Sequence, residues 1–133
     1  MNITLNIYGK AMVFEVTANL FLYEVKDFMG VDMTIPGIQL RLTTGESFGI
    51  LTKSFGEFIG VKNAAYVDIN NFPDAKHLIE SGIAKDTGFT KRSGFCVYPL
   101  WEFDENFLRS IVEEKYQKYS DAFDEYMASD EEE

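Results

Sequence analysis

At 133 residues the chain is the size of one domain, able to bury roughly two-thirds of its unfolded surface without metals or disulfides. Its 22 Asp/Glu against 12 Lys/Arg give a net charge of -10 and a pI near 4.5. That balance argues against direct binding to nucleic acid or to an anionic membrane, because both need clustered bases and the nearest approach to a cluster is Lys91-Arg92.

A single cysteine, Cys96, excludes an intrachain disulfide and fits a reducing, cytoplasmic setting. No basic region followed by an apolar stretch opens the chain, and no run of about 18 apolar residues suggests a membrane span.

In chain order, the first 17 residues predict a β-hairpin. Ile3, Leu5 and Ile7 alternate with polar residues, Gly9-Lys10 turns the chain, and Met12, Phe14 and Val16 resume the alternation. Residues 20–29 fit two patterns: Phe21, Val25 and Phe28 share a helical face that Gly30 would end, yet 19–23 also read as a continued strand. Ile35-Pro36-Gly37 breaks the pattern. Ile38, Leu40 and Leu42 then alternate toward a turn at Thr44-Gly45-Glu46 and a second arm over 47–52.

Glycines at 49, 56 and 60 predict loop, and 65–69 a short strand. Pro73, Asp74, the apolar Ala75, Leu78 and Ile79, and Gly82 outline a short helix. Thr87-Gly88 and Ser93-Gly94 mark turns. Residues 95–101 read as a buried strand in which Pro99 predicts an edge or an end.

The last element is the clearest. With Asp104 as N-cap, one helix is expected over 105–127, about 35 Å long at 1.5 Å per residue. Leu108, Ile111, Val112, Tyr116, Tyr119, Phe123, Tyr126 and Met127 form one stripe at 100° per residue, and Glu113, Glu114, Asp121, Asp124 and Glu125 fall nearly opposite. The expected fold is α+β: an antiparallel sheet of hairpins, a short helix and a long C-terminal amphipathic helix. Residues 1–128 make one domain and 129–133 a disordered acidic tail.

Little of this suggests a catalytic site. His77 is the only histidine and sits on the short helix, which suits a surface or partly packed ring. Cys96 lies in an apolar run and reads as a small buried hydrophobe rather than a reactive thiol. Asp68, Asn70 and Asn71 could line a cation site or, more simply, form an Asx turn before Pro73. Neither phosphate-binding glycine pattern occurs. No cofactor and no metal site is expected.

Charge distribution is more informative. Residues 1–101 carry 10 acids and 9 bases, whereas 102–133 carry 12 acids and 3 bases, and from Asp121 onward there are seven acids and no base. A near-neutral body with a negative arm suits a protein that acts through its surface field on a basic partner.

Several blocks, Val67-Asp68-Ile69-Asn70-Asn71-Phe72-Pro73, Gly82-Ile83-Ala84 with Thr87-Gly88, and Ser93-Gly94-Phe95-Cys96-Val97-Tyr98-Pro99-Leu100, are shared with a known group. Through them, residues 66–103 resemble a small family of unknown function carried by conjugative plasmids, integrative elements and phages of gut Firmicutes. Ser81-Gly82 stands where that family has Asn-Gly, and residues 1–60 and the acidic helix carry no comparable likeness. The resemblance implies an accessory protein of a mobile element acting inside a bacterial host.

Charge and resemblance together lead to the expectation of a non-enzymatic inhibitor of a host defence nuclease, of the anti-CRISPR or anti-restriction type. It would act as a DNA mimic. Glu113, Glu114, Asp121, Asp124 and Glu125 would occupy the basic nucleic-acid channel of a nuclease such as Cas9. The alternative is an adaptor or oligomerisation module of the element's maintenance or transfer system, dimerising through Tyr116, Tyr119 and Phe123. A third reading, an enzyme using Asp68 and Asn70 with a divalent cation, lacks an accompanying base, nucleophile or ligand set.

Overall fold

The computed structural model describes the backbone of residues 2–7, 10–42, 44 and 47–131, and the side chains of these except 2–7, 11, 14, 47, 74, 130 and 131. Two four-stranded antiparallel sheets carry most of the chain. The first contains β1 (Asn2–Ile7), β2 (Lys10–Lys26), β3 (Asp32–Leu42) and β4 (Ser47–Ile50), in that order. The second contains β5 (Thr52–Lys53), β6 (Ala64–Val67), β7 (Ala84–Ser93) and β8 (Cys96–Phe103), in the order β5-β6-β8-β7. Helices α1 (His77–Glu80), α2 (Glu105–Ile111) and α3 (Glu113–Glu131) complete an α+β architecture. Gly9 of the expected first turn and most of the Thr44-Gly45-Glu46 turn lie outside the described residues.

The segment that fitted two patterns is strand. β2 runs unbroken to Lys26 and pairs with β3 from Val16 opposite Leu42 to Lys26 opposite Asp32. A ladder of that length satisfies more backbone groups than a helix of ten residues, most of whose polar groups are terminal. Pro36 and Gly37 do not interrupt β3. Pro36 lies beyond the short reach of β4, which pairs only with Gln39–Arg41, so its missing N–H breaks no ladder on that side. Gly37 leaves room for neighbouring rings: a Cβ there would stand 2.5 Å from Phe21 Cζ and 2.8 Å from Tyr23 Cε2.

Leu51, fully buried between β4 and β5, carries the chain from one sheet to the other. Its N–H donates to Ile38 O at 2.9 Å and its carbonyl accepts from Asp68 N at 2.8 Å, so one residue stitches both sheets. Pro99 sits inside β8, an interior strand, rather than at an edge. The β6–β8 ladder begins only at Leu100, which leaves the proline nitrogen no bond to lose there. Opposite Leu100, β7 bulges at Thr87-Gly88-Phe89, and the Thr87 hydroxyl donates to the Leu100 carbonyl at 2.8 Å. Thr87-Gly88 is therefore a bulge, not a turn, while Ser93-Gly94 does turn the chain.

The single C-terminal helix expected over 105–127 is two helices. Asp104 caps α2 as predicted, its Oδ2 accepting from Phe107 N at 3.0 Å. Val112 then leaves helical geometry, with φ -147° and ψ 97°, before α3 begins. β-branched Val112 gives up one turn's bonds and α3 redirects its aromatic stripe onto the body. α3 continues to Glu131, past residue 129 where composition predicted an unstructured tail.

That stripe is core. Tyr116 and Tyr119 are 0% and 2% exposed, and they pack with Phe123, Leu108, Val16, Leu20, Trp101 and Phe103 between the sheets and helices. Both hydroxyls meet one buried residue, Asn63, and that of Tyr116 also reaches Glu105 Oε1 at 3.2 Å. Tyr116 Oη donates to Asn63 Oδ1 at 2.8 Å, and Asn63 N donates to Tyr119 Oη at 2.8 Å. Asn63 also accepts from Phe103 N at 2.8 Å and adopts φ 67°, a left-handed geometry that Asn tolerates better than most residues.

Candidate functional site

The solvent face of α3 is built as the sequence predicted: Glu113, Glu114, Asp121, Asp124 and Glu125 are all exposed, opposite the buried aromatic stripe. They are not one uniform ridge. At 100° per residue, Glu114, Asp121 and Glu125 follow the outermost line, with Lys118 between the first two. Glu113 and Asp124 lie on a flank and meet bases. Asp124 Oδ1 is 2.9 Å from Lys62 Nζ, and Glu113 Oε1 is 3.9 Å from Arg109 Nη1. Lys115 turns away to the body, donating to Leu20 O at 3.3 Å. Along the outermost line no base follows Lys118, so Asp121 and Glu125 are unpaired with any Lys or Arg of the helix, while Asp124 on the flank is held by Lys62.

Beside the C-terminal half of α3 lies a feature the sequence did not announce. The turn joining β2 to β3 presents Phe28 at 92% and Met29 at 76% exposure, with Val31 also exposed. Such side chains in a turn would ordinarily be mobile, but Asp27 organises this one. Its Oδ1 accepts from Met29 N at 2.9 Å and Val31 N at 2.8 Å, and Asp27 N donates to Val31 O at 3.0 Å. Oδ2 accepts from Tyr126 Oη at 2.8 Å, tying the turn to α3.

These bonds, that from Val31 N foremost, hold the Asp27 carboxyl below the usual carboxylate range despite some desolvation. Phe58 wedges beneath the same end of α3, its ring centroid 4.9 Å from that of Tyr126 and 5.8 Å from that of Phe123.

Between turn and helix runs an open trough of about 560 Å³. It is lined by the apolar Phe28, Met29, Val31, Met33 and Ala122 and by the carboxylates Asp27, Asp32 and Glu125, with no Lys or Arg in the lining. Lys26, just outside, is engaged by Asp32. Sequence reasoning missed this site because Phe28 was counted toward a helical face. The available signal was Asp27-Phe28-Met29-Gly30 between two alternating runs, a turn sequence with the wrong hydrophobicity for a turn.

The other candidates fall into place simply. Asp68 accepts from Asn71 N at 3.2 Å and Asn71 Nδ2 at 2.7 Å, and Asn70 Nδ2 donates to Val97 O at 3.4 Å, so these residues make the Asx turn. Among the described residues no three His, Cys, Asp or Glu side chains gather where they could hold a metal ion. His77 is exposed, its Nδ1 3.0 Å from Glu80 Oε2. Cys96 is half-buried at the start of β8 rather than fully enclosed. The Tyr116/Tyr119/Phe123 stripe cannot serve as a dimer face, because the body of this chain already covers it. No described helix is long and apolar enough to cross a membrane.

No curated protein and no solved structure matches this chain. A family match does exist and spans residues 24–127, from the end of β2 through the trough and nearly all of α3, far beyond the 66–103 blocks. The chain therefore belongs to the family described as Domain of unknown function (DUF4313).

Proposed function

We propose that this protein is a non-enzymatic binding protein that presents the exposed carboxylates of α3 to a basic partner, as an inhibitor of a host defence nuclease such as Cas9. The observation that carries the reading is the segregation on α3: Tyr116, Tyr119 and Phe123 buried, the five acids exposed, and no base on the described helix after Lys118. A helix of 19 residues is about 28 Å long. An ordered rod of that length with carboxylates along one side suits a channel that ordinarily holds a phosphate backbone. The mobile-element setting, and with it the anti-CRISPR or anti-restriction role in a bacterial cytoplasm, rests on the resemblance of the 66–103 blocks.

The test is capture from host lysate at low and high salt, with partners identified by mass. The wild-type chain is expected to retain a basic nuclease at low salt and release it at high salt. A variant carrying Glu114→Lys, Asp121→Lys and Glu125→Lys, which spares the pairs with Arg109 and Lys62, should retain none. The same partners held equally by both proteins would contradict the reading.

A further inference from the structure

The trough beside α3 differs from the acid face in chemistry, and the difference specifies its occupant. We infer that it receives a cationic amphipathic helix of the protein partner, whose bulky apolar side chains seat against Phe28, Met29 and Val31 while its Lys/Arg residues meet Asp27, Asp32 and Glu125. The inference deepens the reading above by adding a short apolar anchor to a surface otherwise recognised by charge.

Four observations support it. Phe28 and Met29 are largely exposed and adjacent, with Val31 beside them, which leaves a contiguous apolar area in water on a protein of net charge -10. The turn that holds them is fixed before binding, by two N–H bonds to Asp27 and by the Tyr126 hydroxyl, so little ordering cost remains. Methionine at 29 and 33 gives the lining an adaptable surface, as in grooves that accept helices. Charge complementarity then selects among occupants, because the lining has three carboxylates, of which only Asp32 meets a base, Lys26 outside the trough.

A second copy of the chain would place those carboxylates against themselves in a two-fold contact, on a molecule of net charge -10. An anionic membrane is repelled by the same carboxylates. A basic amphipathic helix satisfies both parts of the trough.

The probe is a labelled 14-residue peptide of Leu and Lys in helical amphipathic order, compared by fluorescence anisotropy with a scrambled peptide of equal composition and with oligolysine. The wild-type chain should prefer the amphipathic peptide over the scrambled one by about tenfold or more. Amide shifts on binding should concentrate at residues 27–33 and 122–129. Phe28→Ser with Met29→Ser, which leaves charge unchanged and removes only exposed side chains, should abolish the preference while oligolysine binding persists. Glu114→Lys with Asp121→Lys, outside the trough, should weaken all three peptides and keep the preference.

Loss of preference in the Phe28/Met29 variant supports the trough even if the Glu114/Asp121 variant matches wild type, an outcome that removes the acid-face reading alone. Preference retained by the Phe28/Met29 variant, shifts confined to other residues, or a wild-type dimer in light scattering that this variant lacks, each overturns the inference.

Discussion

The Tyr126 hydroxyl donates to Asp27 Oδ2 at 2.8 Å, joining α3 to a turn 99 residues earlier in the chain. This bond fixes the distance between the acidic helix and the exposed Phe28-Met29 tip, so it belongs to both surfaces at once. Tyr126→Phe should leave the fold intact, because the ring still packs on Phe58. It should broaden or split the amide resonances of residues 27–31 in an NMR spectrum, where the wild type gives one sharp set.

Acid should loosen the same link. The folded-state pKa of Asp27 is depressed, so its stabilising contribution is fully present above the unfolded value of about 3.9 and is lost as pH falls through the lower folded value. Thermal midpoints measured from pH 7 downward should therefore fall below the ordinary carboxylate range. In Asp27→Asn that part of the acid dependence should be missing, and an unchanged slope would place the titrating group elsewhere.

Asn63 offers a test of the core. Asn63→Ala removes the amide acceptor of the Tyr116 hydroxyl, which keeps only the longer bond to Glu105, and strains a left-handed residue, with a cost of about 1–3 kcal/mol in urea unfolding. Asn63→Gly removes the same acceptor but relieves the backbone, so it should cost less than Asn63→Ala. Tyr119→Phe takes away the acceptor of a buried N–H and should cost about 1–3 kcal/mol.

Gly37 should show coupling with the ring above it. Gly37→Ala drives a methyl into Phe21 and Tyr23 and should cost about 1–3 kcal/mol. In Phe21→Ala the two nearest contacts are gone and only Tyr23 Cε2 remains, so the double variant should be more stable than the sum of the singles predicts, by at least about 0.5 kcal/mol.

Much of this architecture was legible before any coordinates. Alternation placed β1, the start of β2 and the later part of β3; Asp104 was visible as a cap, and the α3 stripe as an inward face. Local patterns failed where tertiary pairing decided. Phe21, Val25 and Phe28 satisfy helical spacing, yet β3 opposite them makes strand the better-bonded state. Pro36 and Pro99 read as breaks because a sequence does not reveal that one neighbouring strand of each, β4 and β6, stops short of it. Val112 looked like one more apolar residue of a stripe, and only the docking of α3 requires the break there.

For the candidate face, helical spacing placed the five acids on the exposed side of α3. Arg109 stands four residues before Glu113, a spacing helical geometry already brings together, but Lys62 is remote in sequence and could not be foreseen, nor could the apolar tip that α3 approaches only after folding.

The most direct measurement is competition for a purified host Cas9 between labelled guide RNA and this protein, followed by anisotropy across a salt series. The account predicts displacement of the RNA by the wild-type chain, with an apparent affinity that falls steeply as salt rises and vanishes in the Glu114→Lys, Asp121→Lys, Glu125→Lys variant. Displacement by that variant equal to wild type, or an RNA complex untouched by excess protein at low salt, would contradict it.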